Sequence, residues 1–455
     1  MVLPRHGTAY RVAELLIQVN QAAHSGTGGK PARTLFGHPP GLTVLFTTQM
    51  WAEFSFFGLQ AMLVYYMTKQ LDFSQVRTSL IYGAYGAAAF FSPFFGGLIA
   101  DRWLGRTKAV IIGATMMMVG HFAMAFEALL FPALALVALG NGLFIPPLAI
   151  QVGSLYADGD PRKAYAYSAY YMGINLGGLL APLVCGTLGE LYGWHWGFTV
   201  AGVGMAIGLV IYCSFRRLLP PEPARSAVTA EEKAGAAPVI RKHVTILLLM
   251  IAMVVLFRVG YEQSGNVIAL WVADRTDRSI DLLGSGVTIP ATWFQSINPL
   301  LIILGTPLLI RAWKRRNAKE TVSHLLRRMA IGCVIASAAM LVMVAAALAS
   351  GPEGARVSSL WVFTYFVLLT LGELFVIPVG LTLVESLAPI RFASMAMGGW
   401  YIAKFLGSLL AGVMGAYWLI IPPTAFFALG MGSTLLAAAS LYAMARFQRR
   451  TLEIG

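Results

Sequence analysis

Apolar residues along this chain come in long blocks rather than in alternation. About a dozen blocks of 20 or more residues centre near positions 54, 90, 117, 143, 176, 206, 258, 301, 338, 372, 406 and 434. At ~1.5 Å per residue, a helix of that length crosses a ~30 Å hydrocarbon core. A closed barrel would need ~10-residue alternating segments separated by turns, and the sequence shows none. The pattern therefore predicts an all-α membrane protein with twelve transmembrane helices. Between the sixth and seventh blocks, "RRLLPPEPARSAVTAEEKAGAAPVIRK" (216–242) is charged and rich in Pro and Ala, which reads as a linker too short to hold another helix pair. The expected organisation is a cytoplasmic segment 1–40, a six-helix bundle 41–217, a linker 218–242, a second six-helix bundle 243–446 and a cytoplasmic tail 447–455.

Composition agrees: 58% of residues are hydrophobic and 12% charged, against roughly 25% charged in soluble domains. The net charge of +13 could suggest nucleic acid, but its distribution argues otherwise. With both termini placed inside, the cytoplasmic segments hold 26 of the 33 Lys and Arg, and the outer loops only Lys69, Arg77, Arg275, Arg278 and Arg356. This is the positive-inside asymmetry, so the charge is topological and favours contact with anionic lipid over nucleic acid. The first 40 residues lack a secretory pattern, and 9–23 could form an amphipathic surface helix or a disordered tail. Cys185, Cys213 and Cys333 lie in or at the edge of spans and imply no disulfide framework. No nucleotide-binding loop, metal cluster or catalytic triad is visible, which disfavours ATP-driven transport and enzymatic chemistry; no cofactor is expected.

Two six-helix halves with a central linker suggest alternating access around a midplane solute site. "GGLIADRWLGRTKAVIIG" (96–113) resembles the loop between helices 2 and 3 of the major facilitator superfamily, where Gly permits close backbone approach and Asp101, Arg102 and Arg106 can pair to hold one gate state. The alternative for these charges is a purely topological role. "GDPRKAYAYSAYYMGINLGGLLAPLVCGTLGELYGWHWGF" (159–198), "IPATWFQSINPLLII" (289–303) and "LGELFVIPVGLTLVESLAP" (371–389) resemble signature segments of the proton-dependent oligopeptide transporter family. "YEQSG" (261–265) and "MGGWYIAKFLGSLLAG" (397–412) extend the likeness from about 42 to 445, without the two extra helices many bacterial members carry. The resemblance implies the major facilitator fold and secondary transport of peptide-like or amino-acid-derived solutes, with protons as the coupling ion. It also implies a monomer in the bacterial inner membrane.

Departures from the family pattern concentrate where its charges lie. The family reads roughly E-x-x-E-R-F-S-Y-Y-G in helix 1; this chain reads "QMWAEFSFFGLQ", with Gln49, Ala52, Glu53, Phe56, Phe57 and Gln60 at the altered positions. In helix 4, "GNGLFIPP" places Ile145 where members carry a Lys that helps bind the peptide carboxylate, and in helix 2 Phe90 stands where a Tyr is usual. Cations reappear in the second half. Arg258 lies four residues before Glu262, the counterpart of the helix-7 acid, and Lys404 lies in helix 11.

Glu53, Arg258, Glu262, Glu373 and Lys404 all fall near mid-depth, where a charge costs at least ~2.5 kcal/mol unless paired or wetted. They are expected to line a central cavity. Glu53 is read as a substrate contact or coupling group facing Arg258 or Lys404, the alternative being a static salt bridge. Glu373 matches the acid that meets a peptide's amine. Asn175, Asn298 and Trp400 match pocket positions, with Tyr171 and Trp293 as weaker candidates, and either amide can instead brace helices. His121 is read as a packed histidine. The proton-coupling site is expected at Glu53 or Glu262. The substrate-binding set is Glu53, Phe56, Phe57, Gln60, Phe90, Ile145, Asn175, Arg258, Asn298, Glu373, Trp400 and Lys404. The alternative functions are an uncoupled facilitator or exporter of another amphiphilic metabolite, and a solute-sensing receptor.

Overall fold

The computed structural model describes residues 37–157, 160, 162–221, 237–282, 285–314, 321–387 and 393–453. The first half comprises α1 (Pro40–Lys69), α2 (Gln75–Ile99), α3 (Arg106–Ala123), α4 (Leu130–Ser154), α5 (Arg162–Ala181), α6 (Thr187–Tyr192) and α7 (Trp194–Phe215). A π-helical turn, Pro182–Gly186, joins α5 to α6 into one crossing. The second half comprises α8 (Ala237–Tyr261), α9 (Val267–Arg275), α10 (Ile297–Lys314), α11 (Val322–Ser350), α12 (Ser359–Leu387), α13 (Ala393–Ala416) and α14 (Pro423–Glu453). Here a 3-10 turn, Glu262–Gly265, joins α8 to α9. Among the described residues nine helices are long and apolar enough to span a membrane unaided. Helices α1, α3 and α13 fall outside that set, and counted with it they are consistent with the expected twelve crossings. In α1 the shortfall has a cause: Gln49, Glu53 and Gln60 dilute a helix that is otherwise almost wholly buried inside the bundle.

The described residues from Gly41 onward form one compact unit. Helix α8 begins at Ala237, inside the segment expected to be linker, and α14 runs to Glu453, beyond the expected end at 446. Residues 9–23 and most of the linker lie outside the described residues. Cys185 and Cys333 are buried and Cys213 exposed, all as free thiols.

One end of the bundle carries the helix termini rich in Lys and Arg, here termed the basic face. The other carries two small sheets that the apolar blocks do not foretell, and is termed the hairpin face. β1 (Thr276–Asp277) pairs in parallel with β4 (Val357–Ser358), while β2 (Ser279–Leu282) and β3 (Ser285–Thr288) form an antiparallel hairpin. Glycine governs the tightest approaches. A Cβ on Gly96 of α2 would strike the carbonyl of Gly142 in α4, and one on Gly83 would lie 2.6 Å from Gly412 Cα of α13, across the two halves. Gly193, at φ 116°, makes the sharp turn between α6 and α7 in a conformation that side chains rarely adopt.

The halves are stitched together on the hairpin side of the midplane. Gln75 donates to the Gly415 carbonyl at 2.6 Å, Ser79 to Asn266 at 3.0 Å and Tyr65 to the Ala269 carbonyl at 3.0 Å. The Glu190 carboxylate, at the end of α6, accepts from the backbone N–H of Ala291 (2.9 Å) and Thr292 (2.8 Å) and from the Thr292 hydroxyl (2.8 Å). Arg278 lies 3.8 Å from the same carboxylate. An anion set against the free N–H groups of a helical first turn is well placed to satisfy them.

Candidate functional site

The charged residues at mid-depth come together from both halves. Glu53 lies near the middle of α1, Glu373 near the middle of α12 and Lys404 near the middle of α13, while Arg258 and Glu262 flank the point where α8 gives way to its 3-10 turn. Lys404 lies within electrostatic reach of Arg258, Glu262, Glu53 and Glu373. Three acids and two bases therefore share one layer.

Each charge is held differently. Arg258 Nη1 meets Glu262 Oε1 at 3.0 Å, with both side chains more than nine-tenths buried. The guanidinium also stands 5.1 Å from the Tyr261 ring. A side chain on Gly407 of α13 would collide with Arg258 Cβ, so this glycine makes the room in which the arginine sits. Glu373 accepts from the Tyr261 hydroxyl at 3.0 Å and from Asn298 Nδ2 at 2.7 Å, and Asn298 donates also to Thr370 at 3.0 Å. Glu53 accepts from Gln49 Nε2 at 2.6 Å, and the Gln49 carbonyl in turn accepts from the Tyr170 hydroxyl at 2.8 Å. Its expected base is a neighbour in the field rather than a contact: Lys404 acts on Glu53 electrostatically, but its ammonium lies over the Phe90 ring, 3.5 Å from the centroid. An ammonium over an aromatic face is attracted by the ring quadrupole.

The aromatic replacements in the first half form the facing wall. Phe56 stacks on Tyr85 at 6.1 Å and meets Phe90 edge-on at 6.4 Å. Phe57 leans the other way, against Gly178 of α5, and Gln60 is occupied by the Tyr82 hydroxyl at 3.0 Å. Ile145 of α4 is partly buried against the hydrophobic core and brings no polar group.

Several expected pocket residues are otherwise engaged. Asn175 is buried and donates to the Tyr171 carbonyl of its own helix at 2.9 Å, which spends one amide proton on the backbone. Asn298 acts as a brace between α10 and α12 as well as a partner of Glu373. Trp400 is 7% exposed and packs on Gly380 of α12. Trp293 lies in the hairpin-side seam, donating to Thr187 at 2.7 Å, away from the charged layer. His121 is fully buried and, among the described residues, neither ring nitrogen has a partner. At the basic face the charges that can pair in one gate state do not meet in this conformation. Asp101 and Arg102 are exposed on a π-helical turn, Ala100–Leu104, Arg106 donates to Ser154 at 3.3 Å, and among the described residues neither Arg pairs with Asp101. Among the described residues no group of three or more His, Cys, Asp or Glu could hold a metal ion.

Comparison with known proteins decides the lineage. The family model described as Major Facilitator Superfamily matches residues 45–411. The peptide transporter YePEPT of Yersinia enterocolitica is 31% identical over 468 residues, spanning 86% of this chain and 90% of that protein. The chain belongs to the proton-dependent oligopeptide transporter family. A di-/tripeptide transporter of Lactococcus lactis subsp. cremoris is 29% identical over 442 residues, spanning 82% and 88% of the two chains. The crystal structure of a peptide transporter of this family in complex with sulfate superposes with a TM-score of 0.83 at 29% identity, covering 91% of this chain and 96% of that one. For an oligopeptide-transporter family member, the residues missed by sequence reasoning are holders of the acids: Tyr170, which reaches Glu53 through Gln49, and Tyr261 and Thr370 around Glu373. Tyr261 was visible beside Glu262. Its reach to α12 depends on helix placement that no local pattern encodes.

Proposed function

We propose that this protein is a secondary active transporter that moves peptide-like or amino-acid-derived small molecules by alternating access, coupled to protons through Glu53. The observation that carries this reading is the mid-depth layer in which Lys404 lies within electrostatic reach of Glu53 from the other half and of Glu262, Glu373 and Arg258 from its own. Peptide transport in the named relatives supports the solute class. The hydrogen bonds between halves on the hairpin side support a conformation sealed there and reached from the basic face. The positive-inside rule then makes the basic face cytoplasmic, in the inner membrane of a bacterium, with both termini inside. Asp101, Arg102 and Arg106 sit on the face that must close in the opposite state, where a gating role belongs.

Glu373 is the acid for a substrate amine, since Tyr261 and Asn298 both address Oε2 and leave Oε1 to accept. For coupling, Glu262 is bound to a buried guanidinium, and neutralising it would leave that cation unpartnered. Among the described residues Glu53 takes one side-chain hydrogen bond, from the Gln49 amide, and can take up and release a proton without that penalty.

Purified protein in liposomes should exchange a labelled dipeptide such as Ala-Phe by counterflow and accumulate it under an inward proton gradient. Glu53→Gln should still exchange solute yet no longer accumulate it. Accumulation by Glu53→Gln equal to the parent would remove Glu53 from the coupling role, and absence of counterflow in the parent would remove the transport reading.

A further inference from the structure

In the charged layer the two bases are not equivalent. Arg258 is committed to Glu262 in a buried pair and braced by Tyr261 and Gly407. Lys404 is only partly buried, and its ammonium rests on the face of Phe90, which offers attraction without neutralising the charge. The wall around Phe90, made by Phe56 and Tyr85, holds no base, and Ile145 adds none. Among the described residues at this depth, Lys404 is thus the cation open to an incoming anion. Its neighbour Phe405 stacks on Phe91 at 4.9 Å, so the seam between α2 and α13 keeps an aromatic contact even when the ammonium leaves Phe90.

We propose that Lys404 receives the acidic group of the substrate, so that the second half of the molecule binds both ends of a small zwitterion, its amine at Glu373 and its carboxylate or phosphonate at Lys404. A charge-assisted hydrogen bond to an oxyanion outcompetes the ring face, and the Phe90 and Phe56 rings, freed of the ammonium, then flank the apolar part of the solute. The substrate class is amine-bearing acids with an apolar body. This inference rests on the charged layer being the solute site, but it concerns equilibrium binding and needs no transport.

The test is calorimetric binding to the purified full chain in detergent, with Ala-Phe and its C-terminal amide as probes. The parent should bind the free acid about tenfold or more tightly than the amide, the scale of one charge-assisted hydrogen bond. Lys404→Gln should weaken the acid to the level of the amide while leaving the amide unchanged, and Lys404→Arg should keep the preference. Among the described residues Lys404 makes no ion pair, so its loss strips no carboxylate of a contact partner and the Gln variant is expected to be stable. No preference for the acid in the parent, including failure of the acid to bind, overturns the proposal, as does a Gln variant in which both probes weaken alike. Binding with this pattern but without counterflow would sink the transport reading and leave Lys404 in place; counterflow with an unaltered acid preference in Lys404→Gln would do the reverse.

Discussion

A guanidinium and a carboxylate enclosed together contribute little net stability, because each gives up hydration that their attraction only roughly returns. What Arg258 and Glu262 impose is mutual dependence. Arg258→Met alone should destabilise the protein by about 3–5 kcal/mol, leaving Glu262 buried without its partner, whereas adding Glu262→Leu should restore most of the loss. Thermal midpoints of the two variants in detergent check this, and equal midpoints would mean the carboxylate is wetted. Glu373→Gln makes a complementary case: solute affinity should fall by about 1.5–3 kcal/mol, the range for hydrogen bonds to charged groups, with the folded state intact. Unchanged affinity would take Glu373 out of the site. The Arg258–Glu262 pair was legible in the sequence because four residues along one helix fix its geometry. The partners of Glu53 and Glu373 were less so: Gln49 could be seen on the right face, but Tyr170, Tyr261 and Asn298 reach their acids from other positions or helices, and only packing decides such distances.

Helices themselves were the most legible features, since each crossing needs an unbroken apolar run and the basic residues gather at alternate ends. The breaks within crossings were not. The π turn at Pro182–Gly186 changes the hydrogen bonding without interrupting hydrophobicity, so the pattern runs straight through it, and the 3-10 turn at Glu262–Gly265 is a polar interruption too short to end the apolar block around it. Gly265 there lies against the Tyr82 hydroxyl, a contact any side chain would block. The Gly83–Gly412 approach makes the α2–α13 seam similarly intolerant. Gly83→Leu should cost about 1–3 kcal/mol through overpacking, felt mainly in the state where the seam is closed. Spin labels at Arg77 and Tyr417, on the hairpin side, should report a longer distance in Gly83→Leu than in the parent; an unchanged distance would show that the seam yields elsewhere. In the loop beyond α9, the Ser279 N–H (3.0 Å) and hydroxyl (2.5 Å) both donate to Asp277 and hold its carboxyl below its usual range. Because the folded value is depressed, this local support is present above the ordinary carboxylate range and fades only as the pH falls through the lowered value.

At the scale of the whole molecule, the Glu190 clasp is the most concentrated link between the halves: one carboxylate satisfies two backbone donors and a hydroxyl of the opposing half. Glu190→Gln keeps the shape and removes the charge. The same pair of labels at Arg77 and Tyr417 should show the population open at the hairpin face rising by about tenfold, as expected for the loss of one charge-assisted bond; no change would mean that the clasp is incidental to closure. The clasp also bears on how concentration is sensed from each side. A solute arriving at the sealed face meets only the small fraction of molecules that have opened, so its apparent dissociation constant there is the intrinsic one divided by that fraction. The same chain should therefore show two half-saturating concentrations, high on the hairpin side and low on the basic side, with maximal rates differing in the compensating sense so that equal concentrations still produce no net flow.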